Sequence, residues 1–201
     1  MPEKFLALPE EKRNAVIDAA LGAFSRNGYK KASVNDIAVS AGVSKAMVFH
    51  WFGSKKALYL YLVSYCGGLI VEAVKEGFDA GVTDFFDRLK MSSEVKVSVL
   101  KRHPGVYAFI SGIMLETDPE IAGEIKNFVR PAENFKENFY YAGIDLSKFR
   151  DGIDPELIMK LLIWASEGYT SEARTEEEMD AFVEDIYRAM AMMKKYFYKE
   201  E

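Results

Sequence analysis

Between Ser33 and Leu58 the chain reads S-V-N-D-I-A-V-S-A-G-V-S-K-A-M-V-F-H-W-F-G-S-K-K-A-L, and few folds accommodate that run. Ser33 is followed three residues later by Asp36, a variant of the box that satisfies the free N–H groups of a helix start. Val34, Ile37, Ala38 and Ala41 recur at i, i+3, i+4 and i+7, one face of a helix. Gly42 stops that helix where glycine is favoured. Ser44 then caps a second helix after only Ala41-Gly42-Val43, and Ser54 opens a third. Two short helices across so tight a turn predict a helix-turn-helix. A second helix presented in this way can lie in the major groove of DNA.

The longer run F24-S-R-N-G-Y-K-K-A-S-V-N-D-I-A-V-S-A-G-V-S-K-A-M-V-F-H-W-F-G-S-K-K-A-L-Y59 resembles the DNA-binding domain of the TetR family of bacterial transcription regulators. The phenylalanine, Gly-Tyr, Ile-Ala, Ala-Gly-Val-Ser-Lys, the aromatic pair and Ser-Lys-Lys-x-Leu all keep that family's spacing. The resemblance covers about the first quarter of the chain; the rest is similar only in length and helical character. It implies a regulator that binds a palindromic double-stranded operator as a homodimer and responds to a small-molecule effector of unknown identity. A repressor is the form expected. A different class stays open beside it: an all-α cytosolic enzyme, or a lipid or small-molecule carrier, with a remnant head.

A net charge of −5 argues against nucleic acid if taken whole. Residues 1–56, however, hold nine Lys/Arg and five Asp/Glu, a net of +4. The remaining 17 basic and 26 acidic residues leave −9 on the body. A basic head on an acidic body suits a domain that meets phosphates while the body stays off the DNA. The one cysteine, Cys66, excludes an intramolecular disulfide and fits a reducing cytoplasm. No signal-peptide core opens the chain. Ala57 to Val74 is apolar enough to suggest a membrane span. Gly67-Gly68, Ser64 and Glu72 interrupt it, so a buried helix is expected instead and no membrane partner.

The expected fold is all-α, about nine helices, with an N-terminal three-helix domain over 1–54 and a larger helical bundle over 55–201. The first helix runs from about Pro9 to Asn27, with Ile17, Ala20, Leu21 and Phe24 on one face and Gly28 at its end. His103-Pro104 separates helices around 83–102 and 105–116. Asp118-Pro119 and Asp154-Pro155 open two more, the latter reaching about Ala173, and Arg130-Pro131 kinks or splits 119–142. Thr175 and Glu178 cap a last helix to about Tyr198.

Ser44, Lys45, Ala46 and Met47 occupy the first turn of the second motif helix, the part that meets base edges in helix-turn-helix proteins. Lys45 can donate to guanine O6 and N7, while Ala46 and Met47 offer apolar contact to a thymine methyl. Four rings in a row, Phe49-His50-Trp51-Phe52, cannot all face one core at 3.6 residues per turn. Val48 and Phe52 are expected inside, and some of Phe49, His50 and Trp51 outside. The resemblance implies DNA contacts at Phe49 and His50, although the family's usual tyrosine hydroxyl is missing from Phe49. Lys55 lies in a helix's first turn, where the macrodipole opposes it unless an anion sits there. The resemblance likewise makes Lys55 and Ser33 phosphate contacts.

The acidic body carries more aromatic and thioether residues than a minimal bundle needs. Tyr107, Met114, Phe139, Trp164 and Tyr169 are candidate lining residues of an apolar effector pocket between helices. Apolar stripes near helical period, Met159/Leu162/Ile163/Ser166/Tyr169/Thr170 and Met179/Phe182/Val183/Ile186/Ala189/Met190/Met193, point to a homodimer interface through helices near 155–173 and 176–198. An enzyme is not expected: His50 and His103 lie far apart, Cys66 sits in an apolar helix, and no glycine-rich phosphate loop appears. No catalytic residue, cofactor or metal cluster is expected.

Overall fold

A computed structural model describes residues 2–127, 141–170 and 176–200. The elements are α1 (Glu3–Leu6), α2 (Glu10–Lys31), α3 (Val34–Ser40), α4 (Lys45–Phe52), α5 (Lys55–Glu76), α6 (Phe85–Arg102), α7 (Pro104–Met114), a 3₁₀ turn (Leu146–Lys148), α8 (Pro155–Thr170) and α9 (Glu176–Phe197). Residues 122–127 are also helical. No strand occurs among the described residues; the one extended pairing is an isolated bridge between Phe149 and Tyr198. The expected all-α class with an N-terminal helix-turn-helix holds. Pro104 and Pro155 each take the first position of a helix, as their fixed φ favours. Arg130-Pro131 and Thr175 lie outside the described residues.

Two compact units divide the chain, Met1–Val71 with Arg102–Pro131, and Glu72–Lys101 with Ala132–Glu201. The first therefore holds more than the motif. Phe24 of α2 meets Tyr59 of α5 at 5.0 Å and Phe109 of α7 at 6.3 Å, and Tyr59 meets Phe109 at 5.1 Å. Three motif helices alone bury too little apolar surface to hold together, and these rings recruit α5 and α7 to the same core. The compact unit that holds the motif therefore extends past residue 54.

The regular turns of α2 break at Gly28, whose φ of 66° lies in the left-handed region. That break frees the N–H of Tyr29, which donates to Glu116 Oε2 at 2.9 Å. Glu116 also accepts from the N–H of Asp118 through its other oxygen. One carboxylate thus ties the end of α2 to the chain beyond α7.

In α5, 22 residues long and apolar enough to cross a membrane, Leu58, Tyr59, Leu62, Val63 and Cys66 are buried within the first unit. One face of the helix's N-terminal half is thus packed into that unit's core. Burial pushes the Cys66 thiol up to about 12, leaving no thiolate near neutral pH. In the second unit Phe85, Phe86, Leu89, Phe149, Ile158, Met159, Leu162 and Met190 form one core.

Candidate nucleic-acid interface

Both motif caps form. Ser33 Oγ accepts from the Asp36 N–H at 3.3 Å, and Ser44 Oγ accepts from the Met47 N–H at 3.2 Å. Val34, Ile37 and Ala38 are buried, which sets α3 against α2 and fixes the angle at which α4 leaves the turn. Gly42, at φ 65°, makes that turn without strain.

On α4 the division between inside and outside is sharp. Val48, Trp51 and Phe52 are buried; Ser44, Lys45, Ala46, Phe49 and His50 are exposed, and Met47 is half-buried. Of the rings that could not all be internal, Trp51 goes to the core, 5.7 Å from Phe5. Phe49 stays outside, with Lys45 Nζ 5.8 Å from its ring centroid. The outer face of α4 is then a first turn with a hydroxyl, an ammonium and two apolar side chains, followed by a ring and an imidazole. Both cap hydroxyls accept from backbone, which leaves their protons for an outside acceptor.

Lys55 departs from expectation. Its ammonium donates to the carbonyls of Lys30 at 3.1 Å and Ala32 at 3.4 Å, and lies 4.6 Å from the Tyr29 ring centroid. The free carbonyls at the end of α2 carry the negative end of its dipole. They compensate the lysine that α5's own dipole disfavours, so its placement needs no external anion. One proton is left for a phosphate. Lys56 is paired with Glu124 at 3.1 Å.

A family model for bacterial regulatory proteins of the TetR family matches residues 16–62, the span of this interface and its support. Residues 16–62 of this chain carry the DNA-binding domain of the TetR family. The HTH-type transcriptional activator FasR of Mycolicibacterium smegmatis is 29% identical over 117 residues, 58% of this chain. That match spans only 53% of FasR, about half its length. The Biofilm operon icaADBC HTH-type negative transcriptional regulator IcaR of Staphylococcus aureus (strain Newman) is 22% identical over 91% of this chain and 99% of IcaR. A crystal structure of a TetR family transcriptional regulator from Chloroflexus aurantiacus superposes with a TM-score of 0.71 at 19% identity, covering 98% of both chains. At that identity the superposition shows the shared fold.

Of the candidate pocket residues, the side chains of Tyr107 and Trp164 are described. Tyr107 is half-buried on α7. Met114 and Tyr169 lie on α7 and α8, but their side chains are outside the described set, as is Phe139 altogether. Trp164 is 58% exposed. A ring so open belongs to a surface rather than to an enclosed cavity.

The dimer stripes also shift. Met159 and Leu162 of α8 and Met179 and Met190 of α9 are buried, and three of these four lie in the second unit's own core. What α8 leaves open is the neighbouring row Leu157, Leu161 and Trp164; α9 leaves Met192 and Tyr196. Sequence periodicity marks an apolar face on each helix, but a face wider than the core needs does not say which edge the core takes.

Proposed function

We propose that this chain is a ligand-responsive transcription regulator, a repressor, that binds a palindromic operator as a homodimer in the cytoplasm. The observation that carries this reading is the two-sided α4, its inner residues held in the core and its first turn presented to solvent. Ser44, Lys45, Ala46 and Met47 face base edges in this reading, Phe49 and His50 the adjoining backbone, and Ser33 and the remaining proton of Lys55 the phosphates. FasR is named an activator and IcaR a negative regulator. Sign follows from where the operator lies relative to the promoter, and exclusion of polymerase from an overlapping operator is the simpler case. Selection of bound duplexes from a random pool is the direct test. Recovery of a palindromic consensus supports the reading; failure to enrich any site, with turnover or lipid loading instead, would support the enzyme or carrier class.

Lys45→Ala is expected to weaken binding to the selected site by about 1–3 kcal/mol and to relax preference at one base position per half-site. Binding titrations against single-base variants of the consensus check this. An unchanged preference at every position would remove Lys45 from the readout.

The homodimer uses the open rows of α8 and α9. Leu157, Leu161 and Trp164 recur at i, i+4 and i+7, a continuous apolar strip of the sort that marks a partner surface. Trp164→Glu is expected to yield monomers at micromolar concentration by light scattering while helix content is kept. A variant that remains fully dimeric would place the interface elsewhere.

Effector binding in the acidic body lowers operator affinity only if the effector prefers one arrangement of the dimer over the other. The continuous helix α5, which begins beside the end of α2 and ends at Glu76, is the element proposed to carry that preference. Linkage then requires the effector to bind the operator complex more weakly, by the same factor.

A further inference from the structure

The chain before α2 is held by two sets of contacts. Phe5 is fully buried, its ring 4.8 Å from Phe52, 5.5 Å from Tyr61 and 5.7 Å from Trp51. The Arg13 guanidinium donates to the carbonyls of Leu6 at 2.9 Å and Leu8 at 2.8 Å, closing the turn between α1 and α2. A helix of four residues does not persist alone in water. This one is fixed because its single large apolar side chain fills the space behind α4.

Fixing Phe5 on the inner side of α4 sets its neighbour Lys4 beside the outer side. Lys4 Nζ lies 3.4 Å from His50 Nε2 in the last turn of α4, and both side chains are exposed. An imidazole nitrogen accepts one of the three ammonium protons, and the other two point to solvent. Among the described residues no carboxylate pairs with Lys4. Lys45, also exposed, lies about one and a half turns earlier on the same helix. Folding gains little from gathering an ammonium and an imidazole on a surface that is already basic, whereas a bound anion would be held by both.

We propose that Lys4 and His50 form a phosphate-binding pair at the C-terminal end of α4, so that α1 is part of the DNA-binding surface. This rests on the reading of α4 as a recognition helix. Since the first turn of such a helix meets the bases, groups at its far end are left to meet the sugar–phosphate backbone. The pair supplies affinity and register without sequence preference, and places one positive side chain from outside the helix-turn-helix on the operator.

The test uses the full chain, the duplex recovered by selection and a scrambled duplex, with affinity measured against salt concentration. Each phosphate contact contributes about 0.9 to the slope of log K against log salt. Lys4→Ala is expected to reduce the slope by about one per head and to weaken both duplexes by the same factor; Lys4→Arg is expected to restore it. Because the two side chains serve one phosphate, Lys4→Ala with His50→Ala is expected to lose less than the product of the single losses. Lys4 is exposed, so its variant keeps the parent's thermal midpoint. A parent with a steep salt slope that Lys4→Ala leaves unchanged overturns the pair alone. A parent that binds no duplex overturns the pair together with the DNA-binding reading.

Discussion

Arg88→Leu is expected to destabilise the second unit by about 3–5 kcal/mol, enough to abolish it as a cooperative structure in a domain of ordinary marginal stability. Arg88 is 1% exposed. Its guanidinium donates through Nε to Val82 O at 2.8 Å, through Nη1 to Ala142 O at 2.5 Å and through Nη2 to Val82 O at 2.6 Å and Ala80 O at 3.3 Å. Phe78 covers one face of the fork at 5.0 Å. One side chain thus closes the loop between α5 and α6 and ties it to the chain 54 residues later. Leucine fills part of the volume and satisfies none of the carbonyls, each of which then loses about 1–3 kcal/mol if it stays dry. Arg88→Lys is expected to rescue little, because a point ammonium cannot span three carbonyls set to a planar fork. Urea unfolding followed by far-UV circular dichroism measures this; a midpoint shift worth less than about 1 kcal/mol would show that the loop carbonyls simply turn to water.

The helix-turn-helix was legible because everything that builds it is local. Caps at Ser33 and Ser44, a glycine that must take positive φ, and apolar residues at helical spacing lie within about twenty positions of one another. The proline-opened helices were legible for the same reason. What escaped notice depends on contacts between residues far apart in sequence. Phe5 reads as one of several apolar residues before the first long helix, and only Trp51, Phe52 and Tyr61 make it the anchor. Lys55 reads as a cation misplaced at a helix start until the carbonyls of Lys30 and Ala32 come beside it. Arg88 reads as an ordinary surface arginine of an amphipathic helix, because nothing in its neighbours announces that the Ala80 and Val82 carbonyls turn back to it or that Ala142, 54 residues later, joins them. Both helices of the proposed dimer face were visible as apolar periodicity, yet Met159 and Leu162 turn inward while Leu157, Leu161 and Trp164 remain outside. Periodicity gives a face, and only tertiary packing says which part of it the core consumes.

Asp84→Asn is expected to destabilise the second unit by about 2–4 kcal/mol at neutral pH and to do so progressively less in acid. Asp84 caps α6: its Oδ1 accepts from the N–H groups of Phe86 and Asp87, both at 3.1 Å. The same carboxylate accepts from Lys148 at 3.1 Å, Lys194 at 3.2 Å and the Tyr198 hydroxyl at 3.2 Å. It therefore fastens the end of α9 to the start of α6, beside the bridge between Phe149 and Tyr198. Burial alone would raise this carboxyl, but the Asp87 N–H and the two ammonium groups outweigh it and hold Asp84 below the usual carboxylate range. A group depressed in the folded state contributes fully above its unfolded value, about 3.9, and loses that contribution as pH falls through the folded value. Lys148 and Lys194 remain partly exposed, so the capping bonds and the hydroxyl account for more of the effect than the ion pairs. Stability of parent and Asp84→Asn should differ most near neutrality and converge below about pH 4, as the parent's own carboxylate takes up its proton. A difference that stayed constant from pH 7 into that acid range would show that packing, and not the charge of Asp84, holds α9 in place.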